Sequence, residues 1–218
     1  MESPIPAEWE LIHSIVPPYI FTLSLSGLLF NSFVLAVFFA HKDRLTVAEI
    51  YSSNLALADF ILLCGLPFWA MNILNDVNWP YGDALCKLVN SINFYTSIYT
   101  LVMISVDRYL ALVKTMKARS LRRTLYAKVI CSITWILAAI LSMPTMVHRK
   151  VKFIKEFETM SCILDYSHGS SWKLARQILM NVVGFLLPVL VIIFSSGNII
   201  KGTEQIKAVV IFNAKDLM

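Results

Sequence analysis

Asp59 is the acidic side chain that most needs a chemical explanation, because the run of residues around it, 50–74, is otherwise uncharged. A charged side chain near the middle of a bilayer costs about 2.5 to 3.5 kcal/mol on insertion scales, so Asp59 requires a cation or a proton. Asn31, Asn93 and Ser97 are expected at a comparable depth, and their oxygens are of the kind that bind hard cations. These residues predict an ion or protonation site coupled to conformation. The alternative is a hydrogen-bonded polar cluster that serves packing alone.

A second charged group, Asp107-Arg108-Tyr109, follows the apolar run 88–106. Taken alone, this triplet could be an ordinary anchor at the membrane interface. The triplet lies on the same expected helix as Cys86, at the opposite end, and this position makes it more specific than an ordinary interface anchor.

The four cysteines allow three pairings into two bonds. Cys64 is expected in the outer half of the second apolar segment and Cys131 in the inner half of the fourth, so these two cannot easily meet. Cys86 is expected at the outer end of the third segment and Cys162 in a long outer loop. We therefore expect a Cys86–Cys162 disulfide in an oxidising compartment, and the alternative is two unpaired thiols.

Apolar segments of membrane-spanning length must position these residues. Of the 218 residues, 57% are hydrophobic and 15% charged, and the mean hydropathy is +0.67. Five runs are long enough for a hydrocarbon core of about 30 Å: 19–40, 50–74, 88–106, 129–147 and 177–200. Because they are continuous and do not alternate, they predict an all-α bundle of five transmembrane helices and exclude a transmembrane barrel.

The distribution of Lys and Arg predicts the orientation. Lys42 and Arg44 lie in the first loop and six basic residues lie within 107–125, whereas the first tail and the loop 75–85 contain none. The N-terminus is therefore expected outside and the C-terminus inside, although the outer loop 148–171 is also basic. Basic inner loops facing anionic lipid explain the net charge of +5, so nucleic acid need not be invoked. Residues 151–157 and 158–165 predict a small extracellular β-hairpin over the mouth of the bundle.

Enzymatic function is not expected. The sequence contains no Gly-rich phosphate loop, His-Glu-x-x-His, Gly-x-Ser-x-Gly or Cys-x-x-Cys motif. The four histidines are scattered along the chain at His13, His41, His148 and His168.

Several motifs together resemble those of the rhodopsin-like G-protein-coupled receptors: Asn31, Asn54 to Asp59, Trp79-Pro80-Tyr81-Gly82, Cys86, Asp107-Arg108-Tyr109, Trp135 and Pro188. Longer stretches at 46–51, 64–70, 105–116 and 181–188 resemble the bradykinin receptors, the type 2 subtype best. The resemblance extends from about Ile15 to about Lys201.

This resemblance implies a plasma-membrane receptor for kinins, which are short cationic peptides, coupled through the Gq class of G protein to phospholipase C and calcium. Arg108 would hold the inactive state through Asp107 and then meet the G protein together with Tyr109. An allosteric sodium ion, the only cofactor implied, would bind Asp59 as its metal ligand with Asn31, Asn93 and Ser97. Trp69 would line the peptide pocket, and outer acids could steer the peptide: Asp76, Asp83, Glu156, Glu158 and Asp165. Membrane lipid and a second receptor copy are the other partners implied.

The sequence also departs from the family. We expect an extracellular tail at 1–18, the bundle at 19–200 and a divergent cytoplasmic tail at 201–218, with no sixth helix. Cys86 and Arg108 are three residues closer than in the family, and no Asn-x-Ser/Thr sequon is present. The alternatives are a truncated receptor that pairs with full-length receptors without signalling, and a transporter or channel subunit that uses Asp59 for ion coupling.

Overall fold

A computed structural model describes residues 7–40, 45–91, 94–113, 123–155, 158–165 and 170–216 of the chain. The described helices are, in chain order, α1 (Ala7–Ala40), α2 (Val47–Leu74), α3 (Gly82–Ser91), α4 (Phe94–Leu112), α5 (Thr124–His148), α6 (Ser170–Ile178), a π-helix (Leu179–Leu186) and α7 (Leu187–Asp216). Two antiparallel strands, β1 (Arg149–Ile154) and β2 (Thr159–Leu164), lie between α5 and α6.

Four helical stretches of the described chain are long and apolar enough to cross a membrane: Trp9–Ala40, Val47–Leu74, Thr124–His148 and Ser171–Gln205. They contain four of the five predicted segments, and the last passes through α6, the π-helix and α7. The remaining segment, 88–106, runs from α3 to α4 across residues 92–93, which are outside the described residues. The predicted membrane bundle with a small hairpin is confirmed.

The helices at both ends extend past the predicted segments. Helix α1 begins at Ala7, within the stretch expected to be an outer tail, and α7 continues to Asp216, through most of the expected inner tail. Helices α2 and α5 run through Pro67 and Pro144 without a break in their assigned helical structure.

Small residues let α1 lie close to α2. The Ser24 hydroxyl is buried and donates to the Leu63 carbonyl of α2 at 2.8 Å. A Cβ atom on Gly27 would lie only 2.7 Å from Cδ1 of Leu63, so a larger residue at this position would require the Leu63 side chain to shift. Small residues at helix contacts are the usual means of close packing in membranes, where lipid removes the hydrophobic drive between helices.

The inner half of the bundle contains a core formed by α2 and α5, with side chains of α4 packed against it. Its buried members are Val47, Ile50, Tyr51, Ala127 and Cys131. A capping box of Thr46 and Glu49 fixes the start of α2 below this core, because each residue satisfies a backbone N–H of the other. Higher up, the indole N–H of Trp135 donates to Oδ1 of Asn54 at 3.2 Å and joins α5 to α2.

The π-helix leaves one backbone carbonyl without its usual donor. The N–H that follows this helix bonds the carbonyl of Val182, five residues back, as a π-helix requires. The same pattern would assign the Val183 carbonyl to residue 188, but Pro188 has no N–H. The Tyr99 hydroxyl of α4 donates to this carbonyl at 2.8 Å. A side chain of α4 thus replaces the missing backbone donor and ties α4 to the π-helix.

Candidate functional site

A disulfide holds the β-hairpin to the outer end of α3. Cys86 is fully buried and is bonded to Cys162 of β2, with the two Cα atoms 5.8 Å apart. Cys64 is exposed and Cys131 is buried, and both are free thiols. The predicted pairing is therefore confirmed.

Asp83 adds a polar connection between α3 and the hairpin. Its carboxylate lies 2.6 Å from Nζ of Lys87 and accepts a hydrogen bond from the backbone N–H of Val151 at 2.9 Å. The Lys87 hydrogen bond and then the Val151 hydrogen bond hold the pKa of Asp83 below its ordinary value. The charged form of Asp83 is thus the one that binds the hairpin.

The turn before α3 supports the other strand of the hairpin. Trp79 is 2% exposed, and its backbone N–H donates to the Met160 carbonyl at 2.7 Å. Its indole N–H donates to the Gly82 carbonyl at 3.0 Å, which closes the turn on itself. Tyr81 packs edge-on against both Trp79 and Phe68 of α2. The aromatic turn noted in the sequence therefore serves as a support for β2.

Trp69, expected to line a peptide pocket, lies under the first residue of the hairpin. The guanidinium carbon of Arg149 is 5.9 Å from the centre of the Trp69 ring, and Nη1 of Arg149 donates to the Cys162 carbonyl at 3.2 Å. The sequence reasoning did not single out Arg149. The alternation of a strand could have done so, because Val151 pairs with Cys162 and Arg149 lies two residues before it on the same face.

The outer acidic side chains differ in whether they already have a basic or hydrogen-bonding partner within the chain. Asp165 lies 2.9 Å from Nζ of Lys150 and 3.5 Å from Nζ of Lys152, so it is paired across the hairpin. Asp83 is bound as described above. Asp76 is 92% exposed and lies 3.6 Å from His13. Glu158 is exposed, and Glu156 is outside the described residues.

Three of the four expected sodium ligands lie on α1, α2 and α4. Asn31 uses its amide nitrogen to donate to the Gly27 carbonyl at 2.9 Å, so only its side-chain oxygen could serve as a ligand. Asp59 is half-buried, and the Ser97 hydroxyl lies beside its carboxylate. The Ser97 oxygen is buried yet makes no hydrogen bond of good geometry. Asn93 is outside the described residues.

A buried hydroxyl beside a carboxylate offers oxygen ligands of the kind that a hard cation takes. Among the residues that the structure describes, no group of three or more His, Cys, Asp or Glu side chains could hold a metal ion. The expected sodium site is of a different kind, because it has one carboxylate and would take its other ligands from amide and hydroxyl oxygens.

The Asp107-Arg108-Tyr109 triplet lies near the inner end of α4, and its side chains have different surroundings. Asp107 is 5% exposed and close enough to act electrostatically on Tyr51 of the inner core. Arg108 is exposed, and the ring of Tyr109 lies 6.3 Å from that of Phe194 on α7. Asp107 is thus buried in the bundle, Arg108 is accessible, and Tyr109 packs against α7.

Comparison with known proteins identifies the family. Residues 30–211 match the family described as 7 transmembrane receptor (rhodopsin family). The chain belongs to this family. It is therefore a multi-pass protein of the plasma membrane, and its family consists of receptors and not of enzymes. The match continues beyond Ile200 into the residues expected to diverge.

Bradykinin receptors of both subtypes are among the similar proteins within this receptor family. The chain is 43% identical over 214 residues to the B1 bradykinin receptor of Tupaia minor, covering 95% of this chain and 60% of the relative. It is 40% identical over 198 residues to that of Homo sapiens, covering 89% and 56%. It is 44% identical over 200 residues to the B2 bradykinin receptor of Oryctolagus cuniculus, covering 89% and 54%. The chain thus spans little more than half the length of these relatives.

Proposed function

We propose that this chain serves in a receptor for kinin peptides. The observation that carries the proposal is its 40 to 44% identity to B1 and B2 bradykinin receptors over most of its length. The hairpin, which we call the outer cap, supports the proposal, because the Cys86–Cys162 bond, Asp83 and Trp79 hold it so that its Arg149 lies over Trp69. A peptide that enters the bundle would meet the Trp69 ring at this point.

The inner end supports the proposed coupling to a G protein of the Gq class, phospholipase C and calcium release. Arg108 is exposed there, while the neighbouring Asp107 is buried. An accessible guanidinium on a helix that also packs against α7 can contact a partner and respond to movement between the helices. Asp107 would hold Arg108 in the inactive state, as the family resemblance implies.

A sodium ion at Asp59, Asn31, Ser97 and Asn93 is part of the proposal. It would supply a positive charge that neutralises Asp59 inside the bundle and would stabilise one arrangement of α1, α2 and α4. A ligand that prefers the other arrangement would then bind more weakly when sodium is present.

Pairing with a second receptor copy is also proposed. The outward faces of α5 and α7 carry exposed large apolar side chains such as Ile136, Ile140 and Leu190, which suit either lipid or another helix. Resonance energy transfer between two tagged copies, measured at low expression, would distinguish pairing from random collision in the membrane.

The test of kinin recognition is a chimera in which residues 1–200 of this chain are joined to the part of the Oryctolagus cuniculus B2 receptor that follows the matched region. Kinin binding and kinin-evoked calcium release would be measured in cells that lack kinin receptors. We expect saturable binding and a calcium signal blocked by a Gq inhibitor.

Two variants of the chimera separate binding from signalling. Trp69→Ala should weaken kinin binding, whereas Arg108→Ala should keep binding and lose the calcium signal. A chimera that reaches the cell surface and binds no kinin would contradict the proposed ligand, and a signal that persists in the Arg108 variant would contradict the proposed role of this residue.

A further inference from the structure

A cavity of about 540 Å³ lies at the outer side of the molecule, and Trp69 is not among the described residues that line it. It is bounded by the first turns of α1, the turn after α2 and the hairpin. Its lining among the described residues consists of Trp9, Glu10, His13, Asp76, Val77, Ile154, Ser161 and Ile163.

The length of α1 explains why this cavity exists. A helix of 34 residues is about 51 Å long, while the hydrocarbon core of a bilayer is about 30 Å thick. The outer turns that carry Trp9, Glu10 and His13 therefore stand above the hydrocarbon, level with the hairpin. They form one wall of the cavity, and β2 contributes to the opposite wall.

Hydrogen bonds fix that opposite wall before any ligand arrives. The backbone N–H of Val77 donates to the Asn72 carbonyl at 2.9 Å, and the buried Ser161 hydroxyl donates to the Val77 carbonyl at 3.1 Å. Asp76 and Val77 adopt φ values of 51° and 65°, in the left-handed region that such residues rarely enter. This strained turn presents Asp76 to the cavity and is held there by the hairpin.

The lining combines apolar surface with negative charge. Trp9, Val77, Ile154 and Ile163 supply aromatic and aliphatic walls, while Glu10 and Asp76 supply two carboxylates. His13 is the only basic group among the described lining residues, and its Nε2 lies 3.6 Å from Oδ1 of Asp76. Since Asp76 is 92% exposed, a cation bound to it would keep part of its hydration, and this lowers the cost of desolvation.

We propose that this cavity binds a small organic cation, an amine or guanidine joined to an apolar body. The charged group would lie at the rim between the carboxylates of Glu10 and Asp76, and the apolar body would pack inside against Trp9, Ile154 and Ile163. The volume falls in the range of about 300 to 1,000 Å³ that is usual for small-molecule sites. Trp9 adds an aromatic face, which attracts cations as well as apolar groups. The inference does not depend on kinin recognition.

The test uses the full chain in lipid nanodiscs and phenethylguanidinium as the probe. Isothermal titration would measure binding, with the heat of the probe in empty nanodiscs subtracted. We expect saturable binding of one probe per chain, and roughly tenfold weaker binding of the uncharged isostere phenethylurea.

Variants locate the binding to this cavity. The double variant Glu10→Gln, Asp76→Asn should weaken probe binding roughly tenfold, while the matched control Glu158→Gln, an exposed acid of the same outer surface that does not line the cavity, should leave it unchanged. Ile154→Trp, which fills the cavity, should abolish binding. Mass mapping of the Cys86–Cys162 bond would show that each variant retains the outer cap.

Three outcomes would overturn the proposal. They are the absence of saturable probe binding to the unsubstituted chain, equal affinity for phenethylurea, and unchanged affinity in the double variant. Because both acids are substituted by amides of nearly the same shape at exposed positions, a loss of binding with the disulfide intact reports on charge and not on folding.

Discussion

Asp59 and Asp83 are both carboxylates of one chain, and their surroundings give them different chemistry. Asp83 lies above the membrane and is bound by Lys87 and by the Val151 N–H, so its charge has a structural role. Asp59 is half-buried in α2, beside a Ser97 hydroxyl that has no hydrogen bond of good geometry. The oxygen atoms at Asp59 and Ser97 are therefore available to bind an ion, whereas the carboxylate of Asp83 is already bound by other groups of the chain.

Asp59→Asn should abolish the sodium dependence of kinin affinity in the chimeric receptor while leaving surface expression intact, because removing a charge within the bilayer lowers the cost of insertion. Competition binding in sodium and in choline buffers provides the measurement. The control is Glu158→Gln, which should retain the sodium effect. If the sodium effect persists in the Asp59 variant, this carboxylate is a packing group only.

Asp83→Asn should increase hydrogen exchange in the peptide that contains Val151, because its backbone N–H loses a charged acceptor. The folded pKa of Asp83 is lowered by Lys87 and Val151, so the stabilisation is present above the ordinary carboxyl pKa of about 4 and is lost as the pH falls through the lower folded value. Hydrogen exchange would be measured by mass spectrometry and corrected for intrinsic rates. The loss of protection at low pH should appear only in the unsubstituted chain. Asp76→Asn is the control, and identical exchange in the Asp83 variant would mean that the hairpin does not need this bond.

Among the elements, the hairpin and the π-helix both depend on side chains from other parts of the chain. The hairpin is held by Cys86, Asp83 and Trp79, which belong to α3 and the turn before it. The π-helix is completed by Tyr99 of α4. Each element therefore has a position that its own residues do not specify.

Tyr99→Phe should destabilise the chain by about 1 kcal/mol, since the Val183 carbonyl loses its donor next to Pro188. For a chain of this size, that change corresponds to a decrease in Tm of roughly 2 to 4 °C. Circular dichroism in nanodiscs would follow unfolding. Tyr109→Phe keeps the ring contact with Phe194 and serves as the matched control, and an equal effect of both variants would show that the Val183 bond is not special.

Cys162→Ser should lower Tm by roughly 5 to 15 °C, because the bond closes a loop with a sequence separation of 76 and its loss costs about 2 to 4 kcal/mol. Cys64→Ser, which removes an exposed free thiol, should have little effect. Mass mapping without reduction should recover the Cys86–Cys162 pair. Alkylation of Cys162 in the folded surface protein would be incompatible with the structure.

At the scale of the whole molecule, the basic loops and the disulfide indicate the same orientation of the chain in the membrane. Lys42 and Arg44 lie between the first two crossings, while the Cys86–Cys162 bond and its hairpin lie at the opposite end of the bundle. Basic loops favour the cytoplasmic side, and disulfides persist on the oxidising side. The two features therefore support the same placement of the chain in the membrane.

An epitope at the N-terminus should be accessible to antibody on intact cells, and one at the C-terminus of this chain only after permeabilisation. A third epitope inserted after Lys155, between the strands, should behave like the N-terminal one. Detection of both termini on the same side would show an even number of crossings and contradict the five-crossing arrangement.

The sequence alone determined the membrane bundle, its orientation, the hairpin and the Cys86–Cys162 pairing. These features follow from long uncharged runs, from the distribution of Lys and Arg and from the number of outer thiols, all of which act locally or over whole segments. The start of α1 could not be predicted from the sequence, because the helix continues past the apolar run into polar residues such as Glu10 and His13, which carry no hydrophobic signal.

Only the tertiary structure decided which side chains meet across elements. Nothing in the order of residues indicates that Arg149 lies over Trp69, that Tyr99 replaces the donor missing at Pro188, or that the turn at Asp76 closes a cavity with the start of α1. Such contacts depend on helix rotation, on strand register and on the disulfide that fixes the height of the hairpin. Helix rotation and the height of the hairpin arise from packing among distant segments, which a local pattern does not specify.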